Sequence, residues 1–325
     1  MVKKQAKQEQ QNLLSLNKGD CVMTLYIIGN GFDLAHELPT RYEDFHQYLL
    51  RNYENIDESL LYVPCSITGP HGEEWQDESA VVSLLCYLIN NTYDSNWSDL
   101  EKAIGEIDLI SCFDDLPELL DEDGDRDFWH ESYNNEDRAT ELQLAIPKIS
   151  TFFAEWISSL PKVTTGLTEF SNMINPDNDL FLTFNYTETL ETIYGCKNVV
   201  HIHGKIGEDL LFGHAGEYDY SVDNPHVPLG AAYKLAEIYD SLRKKVSDNI
   251  EKHHTFFDKL DNVNKIVSYG FSFSDIDLPY IEKICSTINT EKIVWYLNDF
   301  NHEANEHKLK IIESGFKGQF HKYSI

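Results

Sequence analysis

Basic residues are scarce in this chain. Its 325 residues include 26 Lys and Arg against 55 Asp and Glu, which gives a formal net charge of −29. Affinity for a nucleic-acid backbone depends mainly on Lys and Arg that displace counterions, and a surface this acidic repels phosphate over most of its area. The composition therefore argues against broad binding of DNA or RNA.

Long hydrophobic runs are missing as well. The longest apolar stretch lies near residues 81–89, far short of the roughly 20 residues that a membrane-spanning helix requires. Residues 1–22 form a polar leader rich in Lys and Gln, without the apolar region of a signal peptide. We therefore expect a cytoplasmic protein with no membrane partner.

The cysteines lack the spacing of a metal site or a disulfide framework. Six are scattered at positions 21, 65, 86, 112, 196 and 285, and no two form a CxxC pair. The acidic run from Asp114 to Asp127 also misses the calcium-loop pattern, because Arg126 and Ser132 stand where Gly and Glu are required if Asp121 is the first position. We expect reduced, mostly buried thiols, a solvated acidic loop or partner surface, and no metal.

The chain does have ample apolar material for a folded core, with 42% hydrophobic and 12% aromatic residues. Its length allows about two domains, or one large domain with an insertion. In residues 23–50 and 178–325, strands alternate with helices, which predicts a Rossmann-like α/β domain with a mostly parallel sheet. The pattern of helices and polar loops at 51–177 predicts a helical insertion.

The apolar pattern also predicts individual elements. Thr40 and Glu43 have the form of a capping box that starts a helix. Strands are expected at 23–28, 180–184, 198–203, 266–269 and 293–297, with a final strand near the C-terminus. Longer helices are expected at 142–160 with a kink at Pro147, at about 230–258 and at about 302–313.

Polar or glycine residues follow each of these strands. Parallel sheets bind ligands at the carboxyl ends of their strands, so these residues should converge at one edge. Their joint arrangement is what indicates a ligand site. They are Gly29, Asn30, Gly31 and Asp33 after the first strand, Asn185 after the second, His203 after the third, Gly270, Ser272 and Asp275 after the fourth, and Asn298 and Asp299 after the fifth.

Taken singly, each signal has a plain structural explanation. The third glycine of the dinucleotide fingerprint is replaced by a leucine, so a tight turn explains the glycines as well as a phosphate loop does. Asn185 would be a turn or N-cap residue. His201 and His203 alternate on the predicted strand and would share a face, where a histidine is most often a satisfied core residue. Asp275 and Asp277 precede a helix, which favours capping over ribose binding.

Several short motifs are spread over most of the chain. They are residues 27–36 (IIGNGFDLAH), 38–40 (LPT), 97–101 (WSDLE), 184–187 (FNYT), 201–204 (HIHG) and 270–272 (GFS). Together they resemble the abortive-infection AbiH family of bacterial anti-phage proteins, which usually has Gly where Glu37 stands here. The resemblance implies a protein that stays silent until infection. It also implies a phage-derived trigger or an associated defence protein as partner, and it allows a homo-oligomer.

The order of these motifs is similar to that in sirtuin-like NAD-binding domains. Such domains carry a GAGxS turn, a proline ten residues after its first glycine, then TQN, HG and GTS elements and a strand-end Asn; Gly29 and Pro39 keep that interval here. The resemblance implies a nucleotide ligand, NAD. It implies that Gly29, Gly31 and Ser272 face the pyrophosphate, that Asn298 binds the adenosine ribose, that Asn185 and His203 bind the nicotinamide ribose, and that Asn30, Asp33 and Gly270 complete the binding loops.

Differences from sirtuin deacetylases argue against one of the reactions that the resemblance implies. The chain lacks their four-cysteine zinc module, and Phe184 and Thr187 stand where they have a glutamine and an acidic residue. Protein deacetylation is thus disfavoured. We predict instead a hydrolase that cleaves the N-glycosidic bond of NAD, its substrate, without a metal. Asn185 would orient a water or a ribose hydroxyl, and His203 would accept a proton at neutral pH.

Three other functions stay open at the level of sequence. The same pocket could hold NAD or ADP-ribose as a signal without cleaving it. A metal-dependent phosphoesterase or nuclease could use His201, His203 and His214, although the chain lacks HExxH and a recognisable Asp-x-His start. The helical insertion could also recognise a phage component, a role that is compatible with catalysis.

Overall fold

The computed structural model describes residues 23–93, 97, 99–298 and 303–323, so the polar leader, Ser98 and Asp299 lie outside the described residues. The chain divides into two compact units. The sheet unit is Met1–Thr40, Ile157–Leu211 and Lys245–Ile325, and the helical unit is Arg41–Trp156 with Phe212–Lys244. Relative to the predicted insertion at 51–177, the helical unit also contains 41–50 and 212–244, whereas 157–177 lie in the sheet unit.

A six-stranded parallel sheet forms the frame of the sheet unit. Numbered in chain order through the molecule, its strands are β1 (Met23–Ile28), β4 (Leu180–Thr183), β5 (Val199–His201), β6 (Val263–Tyr269), β7 (Val294–Asn298) and β8 (Gln319–Tyr323). Their order is β5-β4-β1-β6-β7-β8, and every neighbouring pair is parallel. Counted along the chain, this is the 3-2-1-4-5-6 order of dinucleotide-binding sheets. The predicted Rossmann-like α/β class with a mostly parallel sheet is confirmed.

The central strand β1 shows why this sheet forms. Its residues 24–28 are all buried, as expected for a parallel strand that is covered on both faces. Alternate side chains enter different hydrophobic clusters: Leu25 and Ile27 belong to one, and Tyr26 and Ile28 to the other. Each face of the sheet is therefore covered by an apolar layer.

The helices are likewise numbered in chain order. Within the described part of the chain, every helix is too short or too polar to span a bilayer. The sheet unit contains α1 (Asn30–Ala35), α7 (Thr168–Met173), α8 (Thr189–Tyr194), α10 (Val246–Lys252), α11 (His254–Phe257), α12 (Leu278–Thr287) and α13 (Ala304–Glu313), with 3-10 helices at Asp258–Asn262, Asp275–Asp277 and Thr290–Lys292. The helical unit contains α2 (Tyr42–Asn52), α3 (Glu78–Asn90), α4 (Leu100–Gly105), α5 (Phe128–Ala145), residues 148–156 of α6 (Lys148–Ser159) and α9 (Ala232–Ser241), a 3-10 helix at Ile110–Phe113, and an antiparallel hairpin of β2 (Ile67–Thr68) and β3 (Glu74–Trp75).

Two predicted helices are interrupted. The helix expected at 142–160 breaks between α5 and α6 at Pro147, which has no N–H for the helical ladder. The helix expected at 230–258 is wrong as a single element, because α9, α10 and α11 occupy this region. Between α9 and α10 the backbone bonds to His214 instead: the N–H of His214 donates to the carbonyl of Leu242 at 3.0 Å, and the N–H of Lys244 donates to the carbonyl of His214 at 2.8 Å.

Two predicted boundaries shift as well. Helix α2 begins one residue later than the predicted capping box, because the N–H of Arg41 donates to the Asp44 carboxylate at 3.0 Å. The strand expected at 198–203 ends at His201, because Gly204, with φ of 80°, donates its N–H to the carbonyl of His201 at 3.1 Å and closes a turn. His203 therefore lies in the turn after β5 and not on the strand.

The acidic run at 114–127 lies in an exposed stretch of the helical unit. Asp121 accepts hydrogen bonds from the N–H groups of Asp123 at 3.0 Å and Asp125 at 2.9 Å. Asp127 caps α5 by accepting from the N–H of His130 at 3.1 Å. These carboxylates serve turns and a helix start, as expected for a solvated loop.

Candidate functional site

The turns that follow β1 and β6 interlock at the centre of the sheet. The N–H of Gly29 donates to the carbonyl of Tyr269 at 3.0 Å, and the N–H of Gly31 donates to the carbonyl of Gly270 at 2.9 Å. A Cβ at Gly31 would lie 2.6 Å from the Cα of Gly270, which itself has a φ of 62°. Glycine tolerates this approach and this left-handed backbone. Two N–H groups that were expected to face a pyrophosphate are thus used within the protein.

The loop after β6 keeps other backbone N–H groups available. Among the described residues, none accepts a hydrogen bond from the N–H groups of 271–274. Phe273 has a left-handed φ of 54° while its side chain is fully buried, and Ser272 is exposed. The Lys310 ammonium donates to the Phe273 carbonyl at 2.9 Å and to the Asp275 carboxylate at 3.0 Å. Successive amides in a left-handed turn next to a cation suit an anion.

Asp33 is a buried carboxylate at the end of β1. Helix α1 carries it, and it is only 2% exposed. The hydroxyl of Thr187 donates to it and lies 2.8 Å from each carboxylate oxygen. Burial raises the pKa of Asp33 to about 6, while the hydrogen bond from Thr187, the nearby amide of Asn185 and the nearby His201 oppose that rise. The acid that the sirtuin-like motif has at position 187 is absent, but a carboxylate is bonded to the threonine that replaces it.

Two hydrogen bonds fix the backbone of Asn185, whereas its side-chain nitrogen is not fixed in this way. Its N–H donates to the Thr183 hydroxyl at 3.1 Å, and its carbonyl accepts from Nδ1 of His201 at 2.9 Å. The residue is 6% exposed, yet its side-chain nitrogen completes no hydrogen bond of normal length and angle with a described residue. A buried amide nitrogen without an acceptor costs free energy. Such a group marks a place where a ligand would supply the missing partner.

His203 lies against a carboxylate. Its Nε2 is 3.3 Å from Oδ1 of Asp277, and the two residues are only 4% and 7% exposed. The imidazole also meets the ring of Phe184 edge to face, with centroids 5.1 Å apart. The side chain of Asn249 donates to the carbonyl of Ile202 at 2.6 Å and so fixes the turn that carries His203. The imidazole and the carboxylate form a buried acid–base pair.

The capping role predicted for Asp277 is wrong. Helix α12 begins at Leu278, but the side chain of Asp277 makes no capping hydrogen bond. Its Oδ2 accepts instead from the hydroxyl of Ser274 at 3.2 Å, while Oδ1 faces His203. No local pattern in the sequence reveals this pairing, because the two partners come from different strand ends.

Both ring nitrogens of His201 are bonded. Nδ1 contacts the Asn185 carbonyl, and Nε2 lies 2.8 Å from Oε1 of Glu191. Burial raises the pKa of Glu191, but the hydrogen bond from His201 and the nearby His201 and Lys205 side chains outweigh burial, so the net shift of this pKa is downward. His201 is therefore a satisfied core residue that supports the backbone of Asn185.

The remaining predicted residues lie at the same strand ends. Asn30 begins α1, and its side chain donates to the Thr40 carbonyl at 2.7 Å, which fixes the loop after the helix. Asn298 is half-buried and ends β7, beyond β6 from β1. The structure brings Asp33, Asn185 and Thr187 into one group and His203 and Asp277 into another, and it links Asn298 to neither by a described contact.

The histidines proposed for a metal-dependent phosphoesterase do not form a ligand group. His214 lies in the helical unit, where its Nε2 contacts the Tyr239 carbonyl at 3.0 Å. Among the described residues, the group with metal-ligand spacing is His46, Glu58 and Cys86, which includes none of the proposed ligands.

The fold and this strand-end arrangement define a Rossmann-like α/β protein with buried acid–base and amide groups at the carboxyl edge of its sheet. The sequence matches the family described as Bacteriophage abortive infection AbiH over residues 25–299. This match covers most of the chain, so the protein belongs to the AbiH family. Membership supports a role in abortive infection against bacteriophage. No curated protein and no solved structure matches the chain.

Proposed function

We propose that this protein acts in abortive infection by hydrolysing the N-glycosidic bond of NAD, which releases nicotinamide and ADP-ribose. The observation that carries the proposal is the buried side-chain nitrogen of Asn185, which lies near the Asp33 carboxylate but makes no hydrogen bond of normal length and angle with a described residue, at the carboxyl edge of a dinucleotide-type sheet. The His203–Asp277 pair lies at a neighbouring strand end. An unsatisfied amide and an acid–base pair are suited to orienting a sugar and moving one proton.

In the proposed reaction, the bond between C1′ of the ribose and the nicotinamide nitrogen breaks, and its electron pair leaves with nicotinamide. The ribose passes through an oxocarbenium-like state, and the oxygen of a water bonds to C1′. His203 accepts the proton that this water loses, and the Asp277 carboxylate stabilises the imidazolium that results. Asn185 positions the water or a ribose hydroxyl through its amide.

Asp33 has a part in the same step. Its carboxylate is bonded to Thr187, and the Asn185 amide is close enough to lower its pKa. A buried negative charge stabilises the positive charge that develops on the ribose, and it acts strongly because little water screens it. In this proposal Asp33 supplies the charge that the sirtuin-like motif has at position 187.

The pyrophosphate binds, in this proposal, at the loop after β6. The N–H groups of Gly29 and Gly31 are already donated to the β6 turn. The amides of 271–274 remain to face an anion, and the Lys310 ammonium lies next to them, paired with Asp275. Backbone donors of this kind explain how a chain with a net charge of −29 can bind an anionic substrate.

The test is to incubate purified protein with NAD, in the presence of lysate from phage-infected cells where activation requires it, and to quantify nicotinamide. We expect Asn185→Ala and His203→Ala each to lower the rate by about 10²–10⁴-fold. Asn198→Ala is the matched control. Asn198 precedes β5 at the other edge of the sheet, where it is exposed and bonds to the carbonyls of Asp177 and Asp179. Nicotinamide release at an unchanged rate in both site variants would refute the assignment.

A nucleotide sensor is the second candidate, and the low exposure of the site favours it. Asn185 and His203 are 6% and 4% exposed, which limits entry of water to a bound nucleotide. Saturable binding of NAD or ADP-ribose, measured by calorimetry and lost in Asn185→Ala, with no nicotinamide released under activating conditions, would establish the sensor in place of the hydrolase.

A further inference from the structure

Three potential metal ligands of different chemistry converge in the helical unit. His46 lies on α2, Glu58 on the segment after that helix, and Cys86 on α3. One ligand atom from each, a nitrogen, an oxygen and a sulfur, lies within 4.8 Å of the other two. Nε2 of His46 contacts Oε1 of Glu58 directly. All three residues belong to the helical unit, and none has a role in the proposed hydrolysis.

Neighbouring side chains hold two of these ligands in place. The indole of Trp97 stacks on the His46 ring, with centroids 4.3 Å apart and planes 3° from parallel. The same indole donates its N–H to Asn90 at 2.8 Å, and Asn90 donates to Oε1 of Glu58 at 3.3 Å. Metal sites commonly fix their ligands through outer partners of this kind. This gives Trp97 a role beyond packing.

The thiol of Cys86 is fully buried next to the Glu58 carboxylate, in the part of the group that is shielded from solvent. A divalent metal placed between them would stabilise a thiolate and a carboxylate together.

We propose that His46, Glu58 and Cys86 bind one divalent transition metal of the zinc class, with water as the fourth ligand. Imidazole nitrogen, thiolate and carboxylate are the donors that zinc takes in four-coordinate sites, whereas calcium and magnesium require oxygen ligands. The side chain of Glu58 is 30% exposed, which leaves an opening for the water. The metal would tie α2 to α3.

The test is zinc titration of the metal-stripped full chain, with bound metal counted by mass spectrometry and Co²⁺ substituted to detect thiolate-to-cobalt absorption. We expect one equivalent of metal, the cobalt–thiolate band, and a thermal midpoint that rises with zinc concentration. Cys86→Ser and His46→Asn should each weaken metal binding by at least about 100-fold. Loss of a residue that only supports a ligand weakens binding by up to about 100-fold, and loss of a ligand should cost at least as much.

The matched control is Cys112→Ser. Cys112 is also a fully buried free cysteine of the helical unit but lies outside the group. This variant should keep the metal and the cobalt band. If Cys86→Ser does not fold, Glu58→Gln removes the carboxylate with little change in volume and should lose binding by itself. Less than about half an equivalent of metal on folded wild-type protein, or unchanged binding in the ligand variants, would overturn the proposal.

Discussion

The carboxyl edge of the sheet contains two regions that are held together in different ways. Between β1 and β6, residues 29–31 and 269–270 meet through backbone atoms, with two N–H to carbonyl bonds and no room for a Cβ. We call this the turn pair. The second region consists of buried polar side chains that follow β1, β4, β5 and β6, in one group around Asn185 and one around His203. We call this the polar cluster; its members are Asp33, Asn185, Thr187, His203 and Asp277.

This difference indicates that the turn pair serves packing, whereas the polar cluster is suited to bind a ligand. A glycine-rich turn at a strand end resembles a phosphate loop, but the turn pair satisfies its own N–H groups. The polar cluster contains a buried amide nitrogen that makes no hydrogen bond of normal length and angle with a described residue, and a carboxylate whose pKa burial raises to about 6. Perturbed and unsatisfied groups concentrate where ligands bind. The predictions that follow test whether each region has the role that its contacts indicate.

The largest expected effect is on the turn pair. In Gly270→Ala, the new Cβ would lie 2.5 Å from the carbonyl carbon of Gly31, and the left-handed φ of 62° adds strain. We expect a loss of about 4 kcal/mol in the free energy of unfolding, measured in urea.

Gly195→Ala is the matched control for Gly270→Ala. Gly195 has a similar φ of 67° but nothing within 4 Å of a new Cβ. Only the backbone strain applies there, so we expect a loss of about 1 kcal/mol. Equal losses in the two variants would mean that the turns do not interlock as described.

The second prediction concerns the pH dependence that Asp33 gives to stability. Its pKa rises from 3.8 to about 6 on folding, so the folded chain binds this proton more tightly than the unfolded chain. The stabilisation is complete below the unfolded value and is lost as the pH rises through about 6. Between about pH 4 and pH 7, wild type should lose roughly 3 kcal/mol of unfolding free energy relative to Asp33→Asn.

Urea unfolding of both proteins across this range measures the Asp33 contribution by difference, so that the other carboxyl groups cancel. In the Asp33→Asn variant, the amide oxygen would still accept the Thr187 hydrogen bond, but the side chain could not ionise. A constant difference between the two proteins at all pH values would show that folding does not shift the pKa of Asp33.

The third prediction distinguishes a positioning role for Asp277 from a structural one. In Asp277→Asn, the imidazolium of His203 would lose its neighbouring charge, while the side-chain volume barely changes. We expect kcat for nicotinamide release to fall by about 100-fold, or about 2.7 kcal/mol, with KM nearly unchanged. Asp277→Glu should recover part of the activity.

Asp177→Asn is the control for charge removal. Asp177 is exposed, pairs with Lys197, and precedes β4, whereas Asn185 follows the other end of that strand. This variant should keep the wild-type kcat. A parallel fall of kcat and stability in Asp277→Asn would assign Asp277 to the structure and not to the chemistry.

The sequence predicts the strands of the sheet better than it predicts the contacts between distant segments. Strand β1 has the predicted limits, because five of its six residues are buried in a continuous apolar run. The helix expected at 230–258 failed, because the backbone bonds between His214 and residues 242–244 are invisible to periodicity. The polar cluster was predicted by strand-end position for Asn185 and His203. The partners Thr187 and Asp277 were not, because those contacts join distant segments.

The smallest expected effect lies at the end of α1, next to the turn pair. The N–H of Glu37 donates to the carbonyl of Leu34 at 3.0 Å, and the N–H of Leu38 donates to that of Asp33 at 3.1 Å. These two bonds form a Schellman motif, in which the residue after the cap takes a left-handed backbone and is usually glycine. Glu37 occupies that place with a φ of 61° and an exposed side chain.

Replacing Glu37 with glycine should therefore stabilise the protein by about 1 kcal/mol, because the strain of a Cβ in this conformation disappears. Glu37→Ala keeps the Cβ and removes only the charge, so it should give no gain. Thermal or urea unfolding measures both variants, and nicotinamide release should match wild type in each. An equal gain in the two variants would point to relief of charge repulsion in this acidic chain. A loss in Glu37→Gly would mean that the glutamate side chain itself holds the end of α1, and that the usual glycine of the family serves another purpose.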